Sequence, residues 1–473
     1  MNTLAKRIEA LSGEPKALLD FKRFIEEGKE EELYKVNPLI YAREHGISER
    51  AAIELFVAAA HAGLFEFSWE VLCPGCGFAL VSKRALCELE SQSHCSVCEI
   101  DVEAVLDEAI EVSFTVAPST RPIRYHKPEE LMEFPDLLRV LISANRVIHP
   151  DFQKMIDSCM RGFGIAQPRE THFCQTSLEE GGFRFASLTH HLTTRLDVEG
   201  EPTTEEQPLL AEIRDEVLML SAAALRPGPV KLEIRNFTGD RTIWQLFFKP
   251  EISFCELPSE MKTRFIPYLT GKRLLSNQVF RDLYRTETIA PEGSFSLRAL
   301  TILFTDLKGS TALYERIGDL NAYRLVREHF KILSQAVAEN EGAVVKTIGD
   351  AIMATFPQPH LALAATVRMH KRLAEWNEKN GADDLTLKVG IHEGPCIAVN
   401  SNDKVDYFGQ TVNMAARIQG LAGSEETFFS EAVYRVPGLA EMTEKLGFTL
   451  RPETVKLKGI TEEAKVYRAL LKA

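Results

Sequence analysis

Three charged residues in the C-terminal half stand where a hydrophobic core would not put them. Asp306 follows the apolar run LTILFT (300–305), where a strand should end and a Gly309-Ser310-Thr311 helix start should begin. Asp350 completes a two-residue Gly349-Asp350 loop inside GAVVKTIGDAIMATF (342–356), and that pattern predicts a tight hairpin. Lys346 interrupts the first arm of this hairpin, where a chain building only a core would carry Val or Thr. If the two strands are neighbours, Asp306 and Asp350 converge, and neither local sequence supplies a basic partner. Such a pair suits Mg²⁺, although taken singly each aspartate is as readily a turn former. Alternation puts Lys346 on the strand face of Val344 and Ile348 and leaves Asp350 free to point elsewhere. The hairpin would then serve two different centres.

A second constellation lies near the N-terminus. Cys73 and Cys76, then Cys95 and Cys98, form two CxxC knuckles, which supply four thiolates for a tetrahedral, structural Zn²⁺ of the zinc-ribbon type. Buried free thiols would not need the paired two-residue gaps. Cys87, Cys159, Cys174, Cys255 and Cys396 fall outside the pattern and read as inert.

The elements that must carry these residues follow from periodicity and composition. A chain of 473 residues exceeds one ordinary core. Its 45% hydrophobic and 26% charged content is that of a globular chain. No apolar run reaches the roughly 18 residues of a membrane span, and the N-terminus lacks a signal-peptide pattern, so a cytoplasmic protein with no membrane partner is expected. The odd cysteine count fits a reducing compartment, and the net charge of −13 disfavours nucleic acid.

The expected architecture is multidomain. Residues 1–70 are helical and winged-helix-like: a helix, an HGIS turn with Ser48 as N-cap, a second helix closing at Gly63, and a strand LFEFSW. That second helix offers Arg50 among acidic and apolar residues, a poor reader of base edges, so packing or dimerisation is favoured over DNA binding. Residues 71–110 form the zinc ribbon. Residues 111–290 are β-rich, with PVKLEIRNFTGDRTIWQLFF (229–248) alternating Val230, Leu232 and Ile234 inward, turning at Thr238-Gly239-Asp240 and resuming with Trp244, Leu246 and Phe248. TETIAPEGSFS (286–296) reads as a linker into a last domain, 295–473, patterned strand, helix, helix, strand, strand.

FTDLKGST, VVKTIGDAIMATF, VDYFGQTVNMAARI and ETVKLKGI, in that order and at their separations, resemble the four signature segments of class III adenylate and guanylate cyclase catalytic domains. The resemblance covers about 175 residues and implies an α+β ferredoxin-like domain that cyclises a nucleoside triphosphate. It implies two Mg²⁺ or Mn²⁺ per site held by Asp306 and Asp350. Asn413 and Arg417 match the pair that orients the ribose and stabilises the transition state; their i, i+4 spacing puts both on one helical face. Lys458 matches the lysine that holds the triphosphate, with Lys456 as the alternative. Lys346 and Asp406 match the positions that read the purine. Adenine offers an acceptor at N1 and a donor at its amino group, so an ammonium and a carboxylate complement it, whereas guanine presents the reverse.

ATP is therefore expected over GTP, and cyclic AMP with pyrophosphate as products. The resemblance also implies a site shared across a head-to-tail homodimer, with the aspartates from one chain and Lys346, Asp406, Asn413, Arg417 and Lys458 from the other. The N-terminal region would be the regulatory input. A pseudo-cyclase is disfavoured because every one of these positions is kept, and a transcription regulator because the charge is acidic. The hairpin GPCIAVNSNDKVDYFG (394–409) lacks the Ala-Gly usual in the family, which bears on its dimer contacts.

Overall fold

The computed structural model describes residues 3–249, 263–309, 315–316, 318–380, 385–460 and 463–471. The chain opens with helices α1 (Thr3–Glu9), α2 (Pro15–Glu27), α3 (Pro38–His45) and α4 (Glu49–His61). Asn37 caps α3 by accepting from the Leu39 N–H, and Gly46 stops it in a left-handed conformation (φ 65°). Ser48 caps α4 through the Ala51 N–H, as its sequence predicts. Strand β1 (Phe65–Leu72) then pairs antiparallel with both β2 (Ala79–Lys83) and β5 (Ile110–Val116), and the hairpin β3 (Gln92–Cys95) and β4 (Ile100–Glu103) lies between them in sequence.

The boundaries expected at 70 and 110 therefore fall inside one sheet. Phe21, Phe56, Phe65, Trp69 and Phe114 are fully buried in one core that joins helices and sheet. Burying an aromatic of this size is worth about 2–3 kcal/mol, so this core has no weak seam at either position. Helices α5 (Phe134–Leu141) and α6 (Pro150–Cys159) flank the short strand β6 (Arg146–Val147).

From Met160 to Phe248 the chain is all β. Strands β7 (Met160–Ala166), β8 (Thr171–Leu178), β9 (Gly181–Ser187), β10 (Leu192–Val198), β11 (Gln207–Ile213), β12 (Leu218–Leu220), β13 (Ala224–Leu225), β14 (Gly228–Asn236) and β15 (Thr242–Phe248) make two sheets, ordered β13-β10-β9-β15-β7 and β12-β11-β14-β8. Phe183, Phe185 and Trp244 of the first meet Leu209, Leu232 and Ile234 of the second in one core. Alternation assigns the inward residues of β14 and β15 correctly, but the two do not pair as a hairpin, because each belongs to a different sheet. Asn236 makes the corner: its Nδ2 donates to the carbonyls of Ala166, Gln167 and Asp240, and its Oδ1 accepts from Thr238.

The chain then returns to the N-terminal body. β16 (Arg264–Phe265) pairs with β6, and α7 (Gly271–Leu275) and α8 (Gln278–Leu283) follow. The residues read as a linker are packed: Ile289 is fully buried and its carbonyl accepts from Asn400.

The last region is a mixed sheet with the order β18-β19-β17-β20-β22-β24-β23: β17 (Ser294–Leu307), β18 (Ala343–Ile348), β19 (Ala351–Phe356), β20 (Leu387–Ser401), β22 (Glu426–Ser430), β23 (Phe448–Lys456) and β24 (Glu463–Leu471). β21 (Lys404–Phe408) pairs with the far end of β20. The helix start expected at Ser310 lies outside the described residues. Helices α9 (Asp319–Glu339) and α10 (Pro359–Asn380) pack on the face of Leu303, Ile352, Ala354 and Ile391. The other face, with Ile302, Phe304 and Met353, receives α11 (Gln410–Gln419) and shares its core with the N-terminal body. Gly390 permits that approach, since a β-carbon there would lie 2.1 Å from the Gln419 nitrogen. Among the described residues no helix is long and apolar enough to cross a membrane.

Candidate active site

The central strands bring the two aspartates to one end of the sheet. β17 and β19 pair through Phe304 and Met353, and the Thr305 hydroxyl accepts from the Ile352 N–H at 3.1 Å. Asp306 lies two residues beyond Phe304 on β17 and Asp350 one residue ahead of the start of β19, so both stand toward the same end of this antiparallel pair. The Gly349-Asp350 loop is the expected two-residue turn between paired Ile348 and Ala351, with Gly349 at φ 62°. The Asp350 Oδ2 is buried and lacks a hydrogen-bond partner among the described residues. An orphaned carboxylate oxygen is costly and fits a bound cation. The fully buried His329 ring of α9 is close enough to interact with Asp350, and burial pushes its pKa down to about 4, keeping it neutral.

Asp306 does have a basic partner. Lys388 sits opposite it on β20, and its Nζ donates to the Asp306 Oδ2 at 3.1 Å. Local sequence could not reveal this cation, because it arrives across a strand pairing 82 residues away.

Lys346 departs from simple alternation. A bulge between Val344 and Lys346 pairs Val344 with Ala354 but Lys346 with Met353. Ala354 belongs to the helix-covered face and Met353 to the opposite one. The extra residue, Val345, thus turns Lys346 onto the face opposite Val344. There its Nζ meets the Asp406 Oδ2 of β21 at 2.5 Å. The other carboxylate oxygen of Asp406 accepts from the Tyr407 N–H at 2.8 Å. The pair is accessible, with side-chain exposures of 40% for Lys346 and 16% for Asp406.

Asn413 and Arg417 lie one turn apart on α11, Asn413 exposed and Arg417 half-buried. The Arg417 guanidinium rests against the turn after β23, where a β-carbon on Gly459 would be 3.3 Å from its Nη2. Lys458 is in that same turn and Lys456 ends β23; both are exposed, with Leu457 buried between them. The structure thus joins Lys346 to Asp406, brings Arg417 beside the Lys458 turn, and sets Asp306 by the Asp350 loop.

Residues 2–282 match the family of unknown function DUF5939, and residues 294–470 match the adenylate and guanylate cyclase catalytic domain. This chain belongs to the DUF5939 family and ends in a class III cyclase catalytic domain. An adenylate cyclase of Anabaena cylindrica is 31% identical over 192 residues, 37% of this chain and 37% of the relative. Adenylate cyclase 2 of Rhizobium meliloti is 33% identical over 130 residues, 25% of this chain and 36% of the relative. The chain thus spans about a third of the length of these curated relatives. The crystal structure of the adenylyl cyclase CyaB from P. aeruginosa aligns with 38% of this chain and 97% of its own at 19% identity, with a TM-score of 0.33.

The four knuckle cysteines of this DUF5939 chain also meet. The sulfurs of Cys73, Cys76, Cys95 and Cys98 lie within 4.8 Å of one another, with Cys76 and Cys95 at 3.7 Å. Four thiolates about 2.3 Å from one zinc would stand roughly 3.8 Å apart, so the cluster fits that ion. Each knuckle is closed by a backbone bond, Gly77 N–H to Cys73 and Glu99 N–H to Cys95. Cys255 lies outside the described residues. Cys87, Cys159, Cys174 and Cys396 are free thiols apart from the cluster.

Proposed function

We propose that this chain is a cytoplasmic adenylate cyclase that converts ATP to 3′,5′-cyclic AMP and pyrophosphate, with its N-terminal region as the regulatory input. The observation that carries this reading is the meeting of Lys346 with Asp406: an ammonium donor and a carboxylate acceptor held together on an accessible face match the N1 and amino edge of adenine. Guanine would put a donor against Lys346 and an acceptor against Asp406. Asp306 and Asp350 would hold the divalent ions, and Asp350 already presents a buried oxygen without a partner among the described residues. Bound Mg²⁺ or Mn²⁺ supplies charge neutralisation at the triphosphate and activation of the 3′-hydroxyl. Lys388, bonded to Asp306, would give up that contact as substrate loads.

The remaining chemistry is positioning, because the attacking hydroxyl and the α-phosphate belong to one molecule. Asn413 orients the ribose, Arg417 meets charge as it builds on the phosphoryl oxygens, and Lys458 draws the triphosphate toward α11. We assign the aspartates of one chain and the Lys346, Asp406, Asn413, Arg417 and Lys458 set of a second chain to each site, in a head-to-tail homodimer. The zinc cluster is structural, since cysteine fills all four ligand positions. Mixing Asp306→Ala with Asn413→Ala chains, each inactive alone, should restore one intact composite site per heterodimer. Two variants that dimerise on mixing yet regain nothing would refute the shared-site assignment.

A further inference from the structure

The last helix of the DUF5939 region, α8, touches both strands that carry the proposed purine readers. α8 is anchored on the N-terminal side by Phe280, which is buried against Trp69, Phe67 and Tyr284. Its polar residues face the other way. The Gln278 side-chain oxygen accepts from the Val344 N–H at 2.8 Å, at the first residue of the bulge that turns Lys346 onto its face. Arg281 donates to the Val405 carbonyl of β21 at 2.8 Å, one residue before Asp406. From α7, Arg273 bridges Glu49 at the start of α4 (2.7 Å) and Glu341 just ahead of β18 (2.9 Å).

We propose that Gln278 and Arg281 are positioning residues for purine selection, acting through Lys346 and Asp406; this rests on the adenine-reading role assigned above. Without an acceptor on Val344 the bulge has no side chain to hold its N–H, and a bulge that slips by one residue sends Lys346 to the opposite face. Without Arg281, β21 loses its tie to α8 and Asp406 its fixed distance from Lys346. Through α8 and Arg273, a shift of the N-terminal body reaches the strands that carry Lys346 and Asp406.

The test uses the full chain with Gln278→Ala, Arg281→Ala, Arg281→Lys and, as a control in the same inter-region seam, Arg298→Ala, whose guanidinium meets Glu103 and Glu108. Initial rates are measured against ATP and GTP, with thermal melts to verify folding. Both α8 alanine variants should raise the KM for ATP about tenfold, change kcat by less than about threefold, and lower the ATP-to-GTP ratio of kcat/KM about tenfold. Arg281→Lys, which keeps a donor, should recover most of the ratio, and Arg298→Ala should leave it unchanged. Alanine variants that lower kcat alone with the ratio intact, or a control that shifts the ratio equally, would overturn the proposal while leaving the adenylate cyclase reading standing. A wild-type chain that turns over both nucleotides without preference would overturn the adenine-reading assignment and the positioning role together.

Discussion

Two lysine–carboxylate pairs in this molecule look alike in chemistry and differ in setting. Lys35 and Glu70 meet at 2.9 Å in the N-terminal core, with side-chain exposures of 8% and 0%. Lys35 also donates to the Val140 carbonyl, and Glu70 accepts from Ser82 at the same Oε1 that meets Lys35, its buried Oε2 lacking a partner among the described residues. Beside them Glu111, also buried, accepts from Ser143 and Asn145. Lys346 and Asp406 meet at 2.5 Å on an accessible face, with 40% of the lysine side chain in solvent. A cation locked in by burial has one structure to support; a cation left accessible can exchange its carboxylate for a ligand. The residue types are the same, so the surroundings decide which pair is structural and which reads a substrate.

The largest test of that contrast removes each lysine in turn. Lys35→Met leaves Glu70 buried without its cation and should cost about 3–5 kcal/mol of unfolding free energy in urea denaturation. Lys346→Met, at an accessible site, should stay within about 1 kcal/mol of wild type by the same measurement. Equal losses would erase the distinction.

A smaller effect sharpens the accessible side. Replacing Lys346 by Glu and Asp406 by Cys together should move the ATP-to-GTP ratio of kcat/KM toward GTP by roughly 100-fold, since each unpaired polar edge costs about 1–3 kcal/mol. An unchanged ratio would remove both residues from base reading.

The smallest effect is a pH dependence on the buried side. Burial, reinforced by the nearby Glu70, raises the Glu111 carboxyl from the ordinary range to about 7. The folded chain therefore holds a proton that the unfolded chain has already released. This contribution to stability is fully present below the ordinary carboxyl range and is lost as pH rises through about 7. Glu111→Gln cannot lose it, so its stability relative to wild type should improve between pH 5 and pH 8. A difference independent of pH would show that Glu111 does not titrate across this range.

The sequence was legible wherever the determining interaction is local. Ser48 and Gly63 bracket α4, the Gly349-Asp350 loop makes its turn, and the CxxC spacing brings four sulfurs together, because each depends on residues a few positions apart. Alternation also marked the inward residues of β14 and β15. It could not tell that they enter different sheets, since a corner and a hairpin turn draw on the same residues. The Val345 bulge escaped for a related reason: one inserted residue reverses every later side chain, and VVKTI carries no signal for it. Lys388 beside Asp306, and α8 against β18 and β21, are products of long-range packing. The buried Ile289 stands where composition suggested a linker, because Pro and Gly around it mark irregular backbone and not exposure.

The measurement closest to the central claim is product formation by the purified full chain supplied with ATP or GTP and either Mg²⁺ or Mn²⁺. Cyclic AMP and pyrophosphate in equal amounts from ATP, with much slower turnover of GTP, is the expected result. No cyclic AMP with either metal, or cyclic GMP as the main product, would contradict the account.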